Sequence, residues 1–564
     1  MATQADNAEI KGYECKHAIY APAQDGSKDD LLVIKENIHY TDGNIKPNLR
    51  LIKNFKRDFY ITREGHRKHK DKKEWEDLSK VQKFTCTQNR MIESIGRALG
   101  RPGLRGGMRN ICRSPYIYGA DISTPAIIKR MFMDKWPNCI SNNTVAVLDI
   151  ETDVVEGHGR PIYVALTYRD KAVLAVTKEF LGTIVNPEEK LHKRFRELLG
   201  EYVESRNINL EVLVCDDAGQ ACFEVIQRAH QWVPDFITLW NMDFDIPRIV
   251  KMLEEYGYDP GEVFSDPRVP PEFRFFKYKQ GASQKVTASG RIDAVHPADR
   301  WHVAECPASF FIIDSMCLYK RIRLAEANEP SYGLDFQLNK HLGLRKLRFE
   351  EAEGYSGLAW HEFMQKHYKI EYGIYNLFDC IGVELFDEKV KDLAQTISVQ
   401  SGHSEYKIFN SQPKRLVDQL HFFCLEKGRV IATCSDEMKD ELDQYVIGMN
   451  DWIITLPSHL TVDNGLRVIN EMPDLATQIR VHVADLDVSA GYPTIQRILN
   501  ISKETTFREL SRIRGIDEWT QRMAGVNLTA SHVNAVEITC DLFKAPTFDT
   551  LLDAFEADIE AGLV

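Results

Sequence analysis

The sequence predicts a multidomain α/β (α+β) protein, and three observations carry that expectation. Its 564 residues, 43% of them hydrophobic, are enough chain to bury several cores. Residues 30–65 alternate apolar and polar side chains, as in "LLVIKENIHYTDG" and "NLRLIKNFKRDFYITREG", the period-2 signature of hairpins. From about residue 144 strand-like and helix-like runs alternate: "TVAVLDIET" and "PIYVALTYRD", the amphipathic "EEKLHKRFRELLGEYVES", then "NLEVLVCDD" and "GQACFEVIQRAHQWV". Strands that alternate with helices argue for a sheet covered by helices. Three domains are therefore expected: β-rich 1–140, α/β 141–395, closed by the helix "EYGIYNLFDCIGVELFDEKVKDLAQTI", and 396–564. In the last, "FNSQPKRLVDQLHFFCLEKG" reads as helix, "VHVADLDVS" as strand and the final residues as mostly helical.

Composition narrows the class. No apolar run approaches the roughly 20 residues that span a bilayer, and "MATQADNAEIKGYECKH" is too polar and acidic for a signal peptide, so no membrane partner and a cytoplasmic location are expected. The 12 cysteines include no C-x-x-C pair, which removes the usual zinc-module and disulfide-framework readings and leaves buried thiols. The net charge of −12 conceals an asymmetry: residues 1–140 hold 26 Lys and Arg against 17 Asp and Glu. Basic charge gathered on one domain suits contact with nucleic acid. "HRKHKDKK" (66–73) and the Arg97, Arg101, Arg105, Arg109, Arg113 series are its densest parts, although Gly100, Pro102, Gly103, Gly106 and Gly107 argue against one helix through the arginines.

Acids recur at three places. In "TVAVLDIETDV" (144–154), Asp149 and Glu151 lie two apart on a strand and so project from one face near its C-terminal end. In "DFITLWNMDFDIPRIV" (235–250), an apolar strand runs into Asn241, Phe244 and Asp245. In "EYGIYNLFDCIGVELF" (371–386), Tyr375 and Asp379 lie four apart on one helix face. Taken singly, each has an ordinary reading as a solvated strand end, an Asx-capped turn or a polar helix stripe. Taken together they fall in order within one α/β unit, and four carboxylates are what a pair of hard divalent cations, Mg²⁺ or Mn²⁺, requires for in-line attack of water on a phosphodiester.

The order D-x-E, N-x-x-F-D, Y-x-x-x-D resembles the proofreading 3′–5′ exonuclease of family B DNA polymerases, and is most similar to the T-even phage type. "KPNLRLIKNFKRDFYI" (46–61), "FIIDSMCLYKRIRLAEANEPSYGLDFQLNKHLGL" (311–344) and "FNSQPKRLVDQLHFFCLEKGRVI" (409–431) extend the likeness over most of residues 30–506. The family commonly has three residues between the Asn and Phe-Asp; here Met242 and Asp243 alone intervene. The resemblance implies an RNase H-like fold for 141–395, with Asp149, Glu151, Asp245 and Asp379 holding two Mg²⁺ or Mn²⁺ ions. It further implies that Tyr375 orients the attacking water and that Asn241 and Phe244 contact the substrate strand.

"DVSAGYPT" (487–494) is similar to that family's first polymerase motif. By resemblance Asp487 would bind the metals of nucleotide addition, Ala490 and Gly491 would offer amides to the triphosphate, and Tyr492 would block a ribose 2′-hydroxyl. Asp485 reads as a solvent-facing or capping acid. Residues 495–564 carry neither the Y-x-D-T-D-S signature nor a Lys-bearing nucleotide helix; "CDLFKAPTFDTLLDAFEADIE" has helical spacing with its acids on the polar face. The expected protein is thus a proofreading exonuclease with an incomplete palm at 396–564. Its expected partners are DNA (a single-stranded 3′ end or primer-template) and a second polymerase chain that completes the palm, with room for a sliding clamp, in a bacterial host if phage-encoded. Two other readings stay open: a stand-alone 3′–5′ exonuclease and a non-catalytic DNA-binding scaffold.

Overall fold

The computed structural model describes residues 9–69, 73, 75–102, 108–286 and 291–433. The chain divides into two compact units, Met1–Thr433 and Cys434–Val564, and every described residue lies in the first. The sequence readings at Asp485, Asp487, Ala490, Gly491 and Tyr492 fall outside the described residues.

Strands β1 (Ile10–Pro22), β2 (Asp30–Tyr40) and β3 (Ile45–Lys53) form an antiparallel meander. The β2–β3 turn runs through Gly43 at φ 90°, a backbone conformation that glycine adopts without strain. β1 has no clean alternation in sequence because it buries polar side chains: Lys16 Nζ donates to Ser141 O at 2.6 Å, and His17 Nε2 lies 3.3 Å from Ala308 O. A second small sheet follows from β4 (Lys56–Thr62), β6 (Val81–Thr87) and β7 (Ile117–Tyr118), in the order β6-β4-β7, with β5 (Trp75–Asp77) between β4 and β6 along the chain. The arginine series is interrupted as its glycines predict. Helix Met91–Ala98 ends before Gly100, which takes φ 73°, and a separate short helix spans Met108–Cys112.

From residue 145 the chain builds one large mixed sheet. Its strands are β8 (Val145–Thr152), β9 (Pro161–Tyr168), β10 (Lys171–Thr177), β11 (Asn209–Cys215), β12 (Phe236–Leu239), β13 (Lys277–Lys279), β16 (Val303–Glu305) and β17 (Phe311–Asp314). The order is β11-β10-β9-β8-β12-β17-β16-β13. β8, β9 and β10 run antiparallel in turn, whereas β12 is parallel to β8 and β17 is parallel to β12. β14 (Gln284–Val286) and β15 (Ile292–Ala294) form a separate antiparallel ribbon.

Period-2 alternation decides which helices cover which face. Ala146, Leu148 and Ile150 of β8 pack with Val225 and Ile226 of helix Ala218–Trp232 and with Ile246 and Ile249 of helix Met242–Glu255. Val147 faces the other way, into a core that includes Phe195 of helix Pro187–Arg206 and Leu377 and Phe378 of helix Lys369–Val390. This last helix is shorter than its sequence suggests. The Asp387 carboxylate accepts from the Leu393 and Ala394 N–H groups, Lys391 turns left-handed at φ 60°, and a new helix spans Ile397–Ser401. The chain then returns to its beginning: helix Gln412–Glu426 leads into β18 (Arg429–Ile431), which pairs antiparallel with β5, while Phe422 and Ile431 pack on Ile122 and Ala126. No helix among the described residues is long and apolar enough to cross a membrane.

Candidate metal centre

The site forms where β8 runs out beneath helix Lys369–Val390. Asp149 and Glu151 continue the face that begins with Val147, opposite Ala165 and Tyr163 of β9, so both carboxylates reach toward that helix. The helix lies close because Gly373 meets the Tyr163 ring: a Cβ there would come within 2.8 Å of it. Tyr372, Tyr375, Asn376 and Asp379 recur at three- and four-residue spacing and share the face turned to the strand. Asn376 Nδ2 donates to Asp149 Oδ2 at 2.6 Å, and the Tyr372 hydroxyl donates to Glu151 Oε2. One oxygen each of Asp149, Glu151 and Asp379 lies within 4.8 Å of the others.

Asp245 arrives from the helix packed on the opposite face of the sheet. β12 ends at Leu239, Asn241 precedes the next helix, and Asp245 sits in the first turn of that helix, Met242–Glu255, where the positive end of the helix dipole favours a carboxylate. That helix start is fixed by Asp314 at the end of β17, whose Oδ2 accepts from Met242 N–H at 2.8 Å while Oδ1 caps helix Ser315–Ile322 through Cys317 N–H at 2.8 Å. Asp245 is buried and lies outside the 4.8 Å cluster of Asp149, Glu151 and Asp379, but near enough for its charge to act on Asp149 and to feel that of Glu151.

The electrostatics are those of a cage short of positive charge. Burial, and after it the charges of Asp245, Asp379 and Glu151, hold the Asp149 carboxyl well above the usual range. Burial and then Glu151 and Asp314 do the same to Asp245. Glu151 is pushed up to about 7 by burial, against the pull of the Tyr372 hydrogen bond. Burial raises Asp379 too, opposed by Lys346. Lys346 is the one cation in direct contact among the described residues: its Nζ donates to Asp379 Oδ2 at 2.5 Å and to the Tyr375 hydroxyl at 3.1 Å. Asp379 Oδ1 is buried without a hydrogen-bond partner. An oxygen-rich site in which carboxylates outnumber the contacting cation and one carboxylate oxygen is orphaned fits a hard divalent cation.

A supporting shell holds Glu151 in place. His361 Nδ1 lies 2.8 Å from the Tyr372 hydroxyl and 3.7 Å from Glu151 Oε2, and burial lowers this histidine to about 4, so it is neutral near pH 7. Gln365 donates to Thr152 O at 2.8 Å and accepts from Val154 N–H at 3.0 Å, which fixes the turn that follows β8. Beside Tyr375 and Lys346 opens a cleft of about 570 Å³, lined also by Arg348, Tyr355 and Trp360. Asn241 is exposed on one side of the site, and Phe244, 36% exposed, carries the Arg248 guanidinium 3.7 Å from its ring centroid.

Sequence reasoning named Asp149, Glu151, Asp245, Tyr375 and Asp379 and missed Lys346, Tyr372, Asn376, His361 and Gln365. Asn376 was within reach, since it lies three residues before Asp379 on the same helical face; Lys346 comes from the irregular stretch after Gly343, where no periodicity marks a residue.

A second trio, His302, Asp314 and Cys317, also lies within 4.8 Å and is buried. The protein itself satisfies its donors. Both Asp314 oxygens accept backbone N–H groups, Cys317 Sγ donates to Arg300 O, and Gly281 N–H donates to His302 Nδ1 at 3.2 Å, which places the neutral ring's proton on Nε2. Its geometry is explained by joining two helix starts to one strand end.

No protein-family model matches this chain, and no curated protein was found to match it.

Proposed function

We propose that the protein is a two-metal 3′–5′ exonuclease that shortens single-stranded DNA ends, built like the proofreading nuclease of a family B DNA polymerase. The observation that carries the reading is the clustering of Asp149, Glu151 and Asp379 within 4.8 Å, with Asp245 near enough to act on Asp149; they come from one strand end and two helices, and among the described residues Lys346, on Asp379, is the one cation in contact. The order β10-β9-β8-β12-β17, three antiparallel strands followed by two parallel to the first, supports an RNase H-like arrangement with the acids at the end of its central strand.

Asp149, Glu151, Asp245 and Asp379 would hold the ions. Mg²⁺ or Mn²⁺ bound there supplies charge neutralisation at the phosphodiester and a water acidic enough to attack near neutral pH. The chain's own residues prepare that attack. Lys346 donates to the Tyr375 oxygen and fixes the phenol, whose remaining lone pair can accept one hydrogen of a water and so orient it. Tyr372 and Asn376 hold Glu151 and Asp149 in single rotamers, the support that a metal site needs to keep its geometry. The exposed face of Phe244 offers a base a stacking surface, and the Trp360- and Tyr375-lined cleft offers room beside it.

The test is direct. A 5′-labelled single strand should shorten stepwise in Mg²⁺, a 3′-terminal label should be released at once, and chelation or Asp149→Ala should stop both. Intact DNA at every Mg²⁺ and Mn²⁺ concentration, with DNA still bound, would favour the scaffold reading instead.

A further inference from the structure

Arg160 is paired with Glu255, Arg228 with Glu211 and Glu224, and Arg274 with Glu262, whereas Arg248, like Arg169, Arg196, Arg300, Arg321 and Arg348, forms no ion pair among the described residues. The Arg248 guanidinium carbon lies over the Phe244 ring, 3.7 Å from its centroid, with Nη1 donating to Phe244 O at 2.6 Å. Three residues after Asp245, it sits beside the metal cage, close enough for its charge to act on that carboxylate. A stacked guanidinium has its plane fixed by the ring and presents its remaining N–H groups at the edge, a geometry suited to a phosphate.

We infer that Arg248 is a positioning residue that binds a backbone phosphate of the DNA strand whose base rests on the free face of Phe244. The inference deepens the nuclease reading and rests on it: the aromatic face would take the base, and the cation behind it would take the charge that accompanies that base. A guanidinium that only shields the Phe244 ring from water would hold no phosphate and would release no counterion on DNA binding.

Salt dependence separates the two roles. In an Asp149→Ala background, where DNA is bound and not consumed, affinity for a fluorescent oligothymidylate is measured across NaCl concentrations. Replacing Arg248 by Gln should weaken binding at low salt about tenfold, and should reduce the slope of log K against log salt by about 0.7, one phosphate on a single strand. Arg248→Lys, which keeps the charge and loses the stacked fork, should restore the slope. With Asp149 intact, Arg248→Gln should raise KM and leave kcat within about twofold. An unchanged slope in Arg248→Gln, or a fall in kcat at constant KM, overturns the assignment. Binding with the expected slope change but no cleavage by the unaltered protein would sink the nuclease reading and leave the phosphate contact standing; cleavage with an unchanged slope would do the reverse.

Discussion

At the seam between the N-terminal meander and the large sheet, Lys35 Nζ lies 3.5 Å from Asp235 Oδ1 and donates to Val233 O at 2.7 Å, with both side chains fully enclosed. Asp235 Oδ2 in turn accepts from the Thr144 N–H and hydroxyl at 2.8 and 3.1 Å. At the end of β8, Asp149, Glu151 and Asp379 cluster with Asp245 nearby, and among the described residues the one cation in contact is Lys346, on Asp379. Both places take charge out of water, which costs several kcal/mol per ion unless a partner offsets it. The seam supplies the partner from its own chain, and the cage does not. At the seam one buried cation faces one buried anion, although Asp235 Oδ1 accepts no hydrogen bond; at the cage carboxylates outnumber the contacting cation, and that imbalance is a statement about something that binds.

The sharpest way to break this contrast is to remove a charge from each place. Asp379→Ala should lower exonuclease activity by on the order of 10³-fold, about 4 kcal/mol of barrier. In metal-free solution Asp149→Asn, which removes a carboxylate crowded by three others and leaves the Lys346–Asp379 pair intact, should be more stable than the parent by roughly 1 kcal/mol; thermal unfolding in chelator reads this. Lys35→Met should act in the opposite sense, costing about 3 kcal/mol of stability by leaving Asp235 unpaired, with much of the loss recovered in the Lys35→Met, Asp235→Asn double variant. Denaturant titration of the parent, Lys35→Met, Asp235→Asn and the double variant decides it, and an equal loss in Lys35→Met and the double variant would show that the pair contributes nothing.

Smaller effects sharpen the picture. Tyr375→Phe should cut kcat roughly 10²-fold with little change in metal affinity, since in the proposed mechanism the phenol orients water and the carboxylates hold the ions; a single-turnover assay at saturating Mg²⁺ measures it. The seam also predicts an acid limit. Burial, and then the Lys35 charge, lower His17 to about 4, so between pH 6.5 and about 4 the unfolded chain takes a proton that the folded chain refuses. The stability that the neutral ring contributes is complete above 6.5 and is lost as pH falls through that window, at up to about 1.4 kcal/mol per pH unit. His17→Gln should flatten this part of the pH–stability curve.

The elements of the cage were legible where a regular period exposed them. Two-residue alternation in β8 put Asp149 and Glu151 on one face, and four-residue spacing put Tyr375 with Asp379, because those periods are properties of the backbone and hold wherever the chain folds. The alternating strands and helices after residue 144 were legible for the same reason. What the chain brings from irregular segments was not: Lys346 follows a helix stop, and His361 and Gln365 belong to a helix whose face is set by Tyr372. β1 was hidden by its own polar residues, whose partners at Ser141 and Ala308 lie more than a hundred residues away. The early end of helix Lys369–Val390 depends on the capture of Leu393 and Ala394 by one side chain, Asp387, which no helical propensity records.

The pairing of β18 with β5 has a practical meaning for anyone cutting the gene. A fragment stopped near residue 395 would strip Trp75–Asp77 of its neighbour and bare Ile122 and Ala126, which Phe422 and Ile431 cover. Naked strand edges recruit other chains, so such a piece should clump, and the shortest well-behaved product should run on through Ile431.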